Sequence, residues 1–184
     1  MTTKMTIRLL KRNRMEYEHH VQPFEPVFDE HSRILILGSF PSVKSRAAGF
    51  YYGHRQNRFW RVTAAVFEDA VPETIAEKKQ FLLRNGIAIW DVIESCDIAG
   101  SSDSKVKNAV AADIPGLLEK TKIRKIYVNG SLAKTMYDRY AFPVTGIEAI
   151  KLPSTSPANA AFGLDRLIEE WKMINDQERN RENG

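Results

Sequence analysis

Four short, nearly unbroken apolar runs most constrain what this chain can fold into. They are Arg33-Ile34-Leu35-Ile36-Leu37-Gly38, Ile87-Ala88-Ile89-Trp90, Ile126-Tyr127-Val128 and, more weakly, Glu148-Ala149-Ile150-Lys151-Leu152, closed by Pro153. A strand covered on both faces has no polar side to show, so it reads as a run rather than an alternation. Between the runs lie stretches with helical spacing: Phe59 to Phe67, Pro72 to Arg84, Ile114 to Lys120, Leu132 to Tyr140, and Ala158 to Ile174. In the last of these Leu164, Leu167, Ile168 and Trp171 share one face. Strands alternating with helices indicate an α/β fold, three α/β/α layers around a central, mainly parallel four-stranded sheet. Sites in such sheets form at the carboxyl ends of the strands. That directs attention to the loop after Gly38, to Asp91, to Asn129-Gly130 and to the loop after Leu152.

A length of 184 residues suits one domain. Residues 23–175 are expected to form it, with 1–22 as a flexible leader and 176–184 as a flexible tail. No apolar run is long enough for a membrane span and no secretory h-region follows the basic N-terminus. Cys96 is the sole cysteine, so no intrachain disulfide can form, which fits a cytoplasmic setting. His19, His20, His31 and His54 show no metal-ligand spacing with it, so no metal or other cofactor is expected. The net charge of +4 belongs to the leader: Lys4, Arg8, Lys11, Arg12 and Arg14 precede Met15, and without them 22 basic residues face 23 acidic ones. Charge alone therefore says nothing about nucleic acid binding by the domain.

Three segments carry chemistry. Gly38-Ser39-Phe40-Pro41-Ser42 is a sharp turn whose backbone amides can face a ligand, and it lacks the spacing of a P-loop or a nucleophile elbow. Phe50-Tyr51-Tyr52-Gly53-His54-Arg55-Gln56-Asn57-Arg58-Phe59-Trp60 interleaves aromatic, basic and amide side chains. Aromatic faces stack on bases, and Arg and His reach phosphates. Phe59 and Trp60 read as core, whereas Tyr51 and Tyr52 read as a pocket wall. Leu152-Pro153-Ser154-Thr155-Ser156-Pro157-Ala158-Asn159 offers three hydroxyls to phosphates, or a helix start with Ser156 as cap and Pro157 in the first position.

With these motifs the chain resembles the uracil-DNA glycosylase superfamily over roughly Phe24 to Trp171, closest to its hypoxanthine (deoxyinosine) branch. Gly38 to Trp60 resembles the first motif of the mismatch-specific uracil enzymes, including Asn57-Arg58-Phe59-Trp60. The Gly-Ser-Phe-Pro opening and Leu-Pro-Ser-Thr-Ser-Pro resemble the hypoxanthine branch. The resemblance implies that Tyr52 stacks on a flipped base, that Asn57 is the important amide, and that the 154–156 loop pinches phosphates. It also shows departures. Phe40 stands where uracil enzymes carry an Asn or Asp, Leu152 falls near their catalytic His, and Ser156 sits near the place of their bulky wedge. One cysteine cannot hold the iron–sulfur cluster of some branches.

The resulting expectation is a monofunctional glycosylase, acting as a monomer on DNA that contains a damaged or mismatched base. Hypoxanthine, imperfectly paired, is extruded more easily than adenine. Gly38, Tyr51, Tyr52 and Asp91 are expected to bind it, the amides near Ser39 and Phe40 to hold a carbonyl oxygen, and Asn57 to position water. Asp91 either reads the N–H at position 1 of hypoxanthine or simply caps the following turn. Pro41, Ser42, Lys44, His54, Arg55, Ser154, Thr155, Ser156 and Asn159 are expected to meet DNA, and no lysine stands out for Schiff-base chemistry. The competing readings are a uracil or G·U/G·T mismatch glycosylase, a non-catalytic damage-binding module and a small-molecule binding protein.

Overall fold

The computed structural model describes residues 16–99 and 106–175. Their elements run β1 (Tyr17–Val21), β2 (Ile34–Gly38), α1 (Val43–Ala48), α2 (Phe59–Val66), α3 (Ile75–Arg84), β3 (Ile87–Asp91), β4 (Ile93–Ala99), β5 (Val106–Ala111), α4 (Ile114–Glu119), β6 (Lys125–Asn129), α5 (Ser131–Met136), a π-helical turn (Tyr137–Ala141), α6 (Phe142–Thr145), β7 (Ala149–Leu152) and α7 (Leu164–Trp171), which ends in a 3-10 turn (Lys172–Ile174). The four apolar runs form one parallel sheet in the order β3-β2-β6-β7.

Alternation along the buried strands divides the core in two. Ile34, Ile36, Ile87, Ile89 and Tyr127 face Phe59, Trp60 and Val62 of α2, Phe81 and Leu82 of α3, and Leu167 and Trp171 of α7. Leu35, Leu37, Ala88, Ile126 and Val128 face the other way, onto Ile114 and Leu117 of α4 and onto Ala133, Met136 and Tyr137. Each large side chain so buried contributes about 1.5–3 kcal/mol. The three-layer expectation holds. Val27 exchanges backbone hydrogen bonds with Ile89 at 3.1 and 3.0 Å, which covers part of the exposed edge of β3.

A second, antiparallel sheet in the order β1-β4-β5 was not expected. Tyr17–Val21, assigned from sequence to the leader, pair with Ser95–Ala99. The segment YEHHV is mostly exposed and gives no hydrophobic signal; it is held by the ladder and by the buried Ile93, Cys96 and Ile98 of β4. Val92 alone separates β3 from β4, so the chain passes from one sheet to the other within a residue. The N–H groups of Val92 and Ile93 donate to the carbonyls of Gly38 and Ser39 at 2.9 and 3.1 Å, which ties the small sheet to the loop after β2.

Two helix boundaries differ from expectation. Residues 43–48, read as loop, form α1, with Ser42 as its cap. The last helix begins at Leu164, not Ala158. The Arg58 side chain takes the carbonyls of Ser156, Asn159 and Phe162, holding that stretch in turns. Residues 1–15 and 176–184, the basic segment and the tail, lie outside the described residues. No helix among the described residues is long and apolar enough to cross a membrane.

Candidate active site

The carboxyl ends of β2, β3, β6 and β7 open into one cleft of about 700 Å³. Its walls are the 38–45 segment, Tyr51 and Tyr52, His54, Asn57, Asp91, the start of α5 and the 154–159 loop. That volume is in the range of small-ligand pockets. The cleft lies at the strand ends to which the sequence pointed, where a doubly covered sheet leaves backbone groups accessible.

Asn57 is held rigidly. Its Oδ1 accepts from the N–H of Phe59, the first residue of α2, at 3.0 Å, and from the Thr155 hydroxyl at 2.9 Å. The Phe59 donor fixes which end of the amide is oxygen. Thr155 Oγ1 accepts from Asn129 Nδ2 at 2.9 Å, and the Thr155 N–H donates to Asn129 Oδ1 at 3.0 Å. Asn57, Thr155 and Asn129 thus bind the first motif, the second motif and the end of β6 into one network. With its oxygen taken twice, Asn57 can approach a ligand only as a donor, through Nδ2.

Arg58 fixes the second motif from beneath. Its guanidinium donates to the carbonyls of Thr155 (3.2 Å), Ser156 (2.6 Å), Asn159 (3.0 Å) and Phe162. A planar fork with five donors suits such a cluster of carbonyls better than an ammonium. The Asn159 amide adds a bond to the Ser154 carbonyl at 3.0 Å.

The opposite wall is acidic and aromatic. Asp91 is 5% exposed, and its Oδ2 accepts from Gln22 Nε2 at 2.5 Å. Burial pushes its pKa up to about 7, against the lowering effect of the Gln22 bond. A Cβ on Gly38 would lie 2.2 Å from Asp91 Oδ1, so glycine at the end of β2 is what lets the carboxyl lie across the strand. Tyr52 has φ of 53° and stacks on Phe59 with 4.0 Å between ring centroids. Its hydroxyl is buried and has no hydrogen-bond partner in the protein. Burial holds that phenol neutral, as the nearby Asp91 also does, against the lowering effect of the Asn129 side chain.

Several expected contact residues take other roles. Tyr51, at 2% exposure, belongs to the core; its hydroxyl donates to the carbonyls of Phe24 and Glu25, so little of it is left as pocket wall. Thr155 is fully buried, and both its hydroxyl and its N–H are spent inside the network, so it has no donor left for a phosphate. Phe40 and Pro41 are buried turn residues, with Phe40 packed in the second core. Ser42 accepts from the Ser45 N–H as a helix cap, yet is exposed. Ser156 accepts from the Ala158 N–H within a turn and starts no helix, contrary to the capping reading. Lys44, His54, Ser154, Ser156 and Asn159 line the cleft; Arg55 is exposed beside it. Sequence reading missed three residues of the site. Asn129 sat at a flagged strand end, and Arg58 lay within the quoted motif, but Gln22 carried no signal at all.

No group of three or more His, Cys, Asp or Glu side chains among the described residues could hold a metal ion. Comparison with known proteins agrees with this architecture. The profile of the uracil DNA glycosylase superfamily matches residues 25–176. A protein of Methanosarcina acetivorans named hypoxanthine DNA glycosylase is 37% identical over 153 residues, covering 82% of this chain and 95% of the relative. One of Methanosarcina barkeri with the same name is 40% identical over 88 residues, 47% of this chain and 56% of the relative. A solution NMR structure from Methanosarcina acetivorans, described as a candidate uracil DNA glycosylase, superposes with a TM-score of 0.71 at 35% identity, covering 84% of this chain and 96% of that one. The chain belongs to the uracil DNA glycosylase superfamily.

Proposed function

We propose that this protein is a monofunctional DNA glycosylase that flips a deaminated base, hypoxanthine foremost, out of DNA and hydrolyses its N-glycosidic bond. The observation that carries the reading is the Asn57–Thr155–Asn129 network, which holds a rigid amide donor in the wall of a cleft large enough to take an extruded nucleotide. The named relatives favour hypoxanthine over uracil.

In this reading the extruded base turns one edge toward the Tyr52 hydroxyl and Asp91. The bond breaks with charge separation, leaving a cationic sugar and an anionic base. Donors that meet the developing negative charge lower the barrier. In this reading the amides near Ser39 and Phe40 and the Asn57 Nδ2–H perform that task. Because the Asn57 oxygen is occupied, Nδ2 is the atom that holds the attacking water or the leaving base. Lys44, exposed at the rim, contacts phosphate and forms no Schiff base, so strand cleavage is absent. Cytoplasmic location and a monomeric state complete the proposal.

The test uses labelled duplexes with one hypoxanthine, uracil, xanthine or G·T mismatch, followed by hot alkali. Alkali-dependent cleavage greatest at hypoxanthine is expected, and borohydride should trap no covalent complex. Asn57→Ala should lower the rate about a hundredfold, the scale of one lost transition-state donor. Cleavage mainly at uracil would move the substrate; tight binding without cleavage would sink the enzymatic reading.

A further inference from the structure

Gln22 lies 69 positions before Asp91, at the end of β1, outside both motifs. Its placement is strict. Its N–H donates to the Glu94 carbonyl at 2.6 Å, and its Oε1 accepts from the Phe24 N–H at 3.1 Å. The second bond leaves the amide one orientation, with Nε2 toward Asp91 Oδ2 at 2.5 Å. The other oxygen, Oδ1, faces the space over Gly38, where the Tyr52 hydroxyl also points. That hydroxyl is buried without a partner. Native proteins seldom leave a buried hydroxyl unpaired, and this one belongs to a residue of the cleft wall, beside Asp91 and the Asn129 amide.

We propose that Gln22 is a positioning residue that sets base selectivity. By occupying one oxygen of Asp91 it presents the other, beside the Tyr52 hydroxyl, to the lactam edge of a flipped base. This rests on the glycosylase reading above. A lactam edge places an N–H beside a C=O, as at positions 1 and 6 of hypoxanthine. Ionised Asp91 Oδ1 accepts the N–H, and the Tyr52 hydroxyl donates to the C=O. Adenine presents a lone pair and an amino group there, so both partners are mismatched, and such sites discriminate strongly. Guanine shares the lactam edge, but full pairing keeps it in the stack. The donated Gln22 bond favours the carboxylate, the form that reads this edge. The other titratable groups facing Asp91 are the Tyr51 and Tyr52 phenols, which burial keeps neutral.

The experiment is single-turnover excision of hypoxanthine by wild type and Gln22→Met across pH 5.5–9.5. Wild type should gain rate with rising pH as Asp91 ionises. Gln22→Met keeps the side-chain length but donates no bond; its rate should be about tenfold lower near neutrality and recover toward high pH, its limb displaced upward. A fall of equal size at every pH, or no change, would overturn the proposal. If Gln22→Met fails to fold, Tyr52→Phe replaces it: the ring stack on Phe59 survives and the rate should fall about tenfold. Full activity of Tyr52→Phe would also overturn it. A wild type inactive on hypoxanthine would instead sink the function on which this inference rests.

Discussion

Replacing Tyr52 by Phe isolates a single oxygen atom. The hydroxyl is buried and unpaired, so in the unliganded protein it costs stability. Tyr52→Phe should therefore unfold later than wild type, by about 1 kcal/mol in urea denaturation, while losing activity. A less stable variant would mean the hydroxyl has a partner that the fold supplies. Asp91 gives a second prediction at this scale. Its folded pKa of about 7 lies above the ordinary carboxylate value, so the folded state holds its proton more tightly than the unfolded chain. The stability of wild type should then fall as pH rises from about 4 to about 7 and level off above that. Asp91→Asn removes this loss, so its advantage over wild type should be larger at pH 8 than at pH 4. Melting temperatures at the two pH values check this; a constant difference would show that Asp91 stays ionised throughout.

At the scale of elements, the second motif is a loop that owes its shape to another segment. Arg58, the residue before α2, holds it through four carbonyls. Arg58→Lys keeps the charge but not the fork, and should cost about 2 kcal/mol in denaturant unfolding. The larger effect should fall on catalysis, since Thr155 and with it Asn57 lose their support. We expect at least tenfold slower excision with the melting temperature only a few degrees lower; an unchanged rate would mean the loop shapes itself. The same interplay explains the short last helix. Leu164, Leu167 and Trp171 carry the apolar spacing, but Arg58 engages the carbonyls of Ser156, Asn159 and Phe162 and holds the stretch before them in turns.

At the scale of the molecule, the described residues carry no net positive charge to draw in DNA, so individual cations around the cleft become the groups to test. Lys44→Ala should weaken binding to any duplex and lower the slope of log affinity against log salt by about one. Fluorescence anisotropy at several salt concentrations measures this; an unchanged slope would remove Lys44 from the phosphate contacts.

The four-stranded parallel sheet was legible because burial on both faces forces continuous apolar runs, and those runs also located the cleft at Gly38, Asp91, Asn129 and Leu152. The amide proposed to act on the base, Asn57, was legible through the Asn57-Arg58-Phe59-Trp60 motif, a local pattern. The small sheet was not legible, because Tyr17–Val21 buries no residue fully on either side and its order comes from pairing with β4. Nor could spacing reveal that Tyr51 is core while its neighbour Tyr52 faces the cleft, a division made by a positive φ at Tyr52 and by carbonyl acceptors on a distant loop. Local sequence determined what each segment could be, through hydrophobic period and turn chemistry. Only tertiary structure decided what touches what, because the bonds that build this site join Gln22 to Asp91, Arg58 to the 155–162 loop and Thr155 to both Asn57 and Asn129 across long stretches of chain.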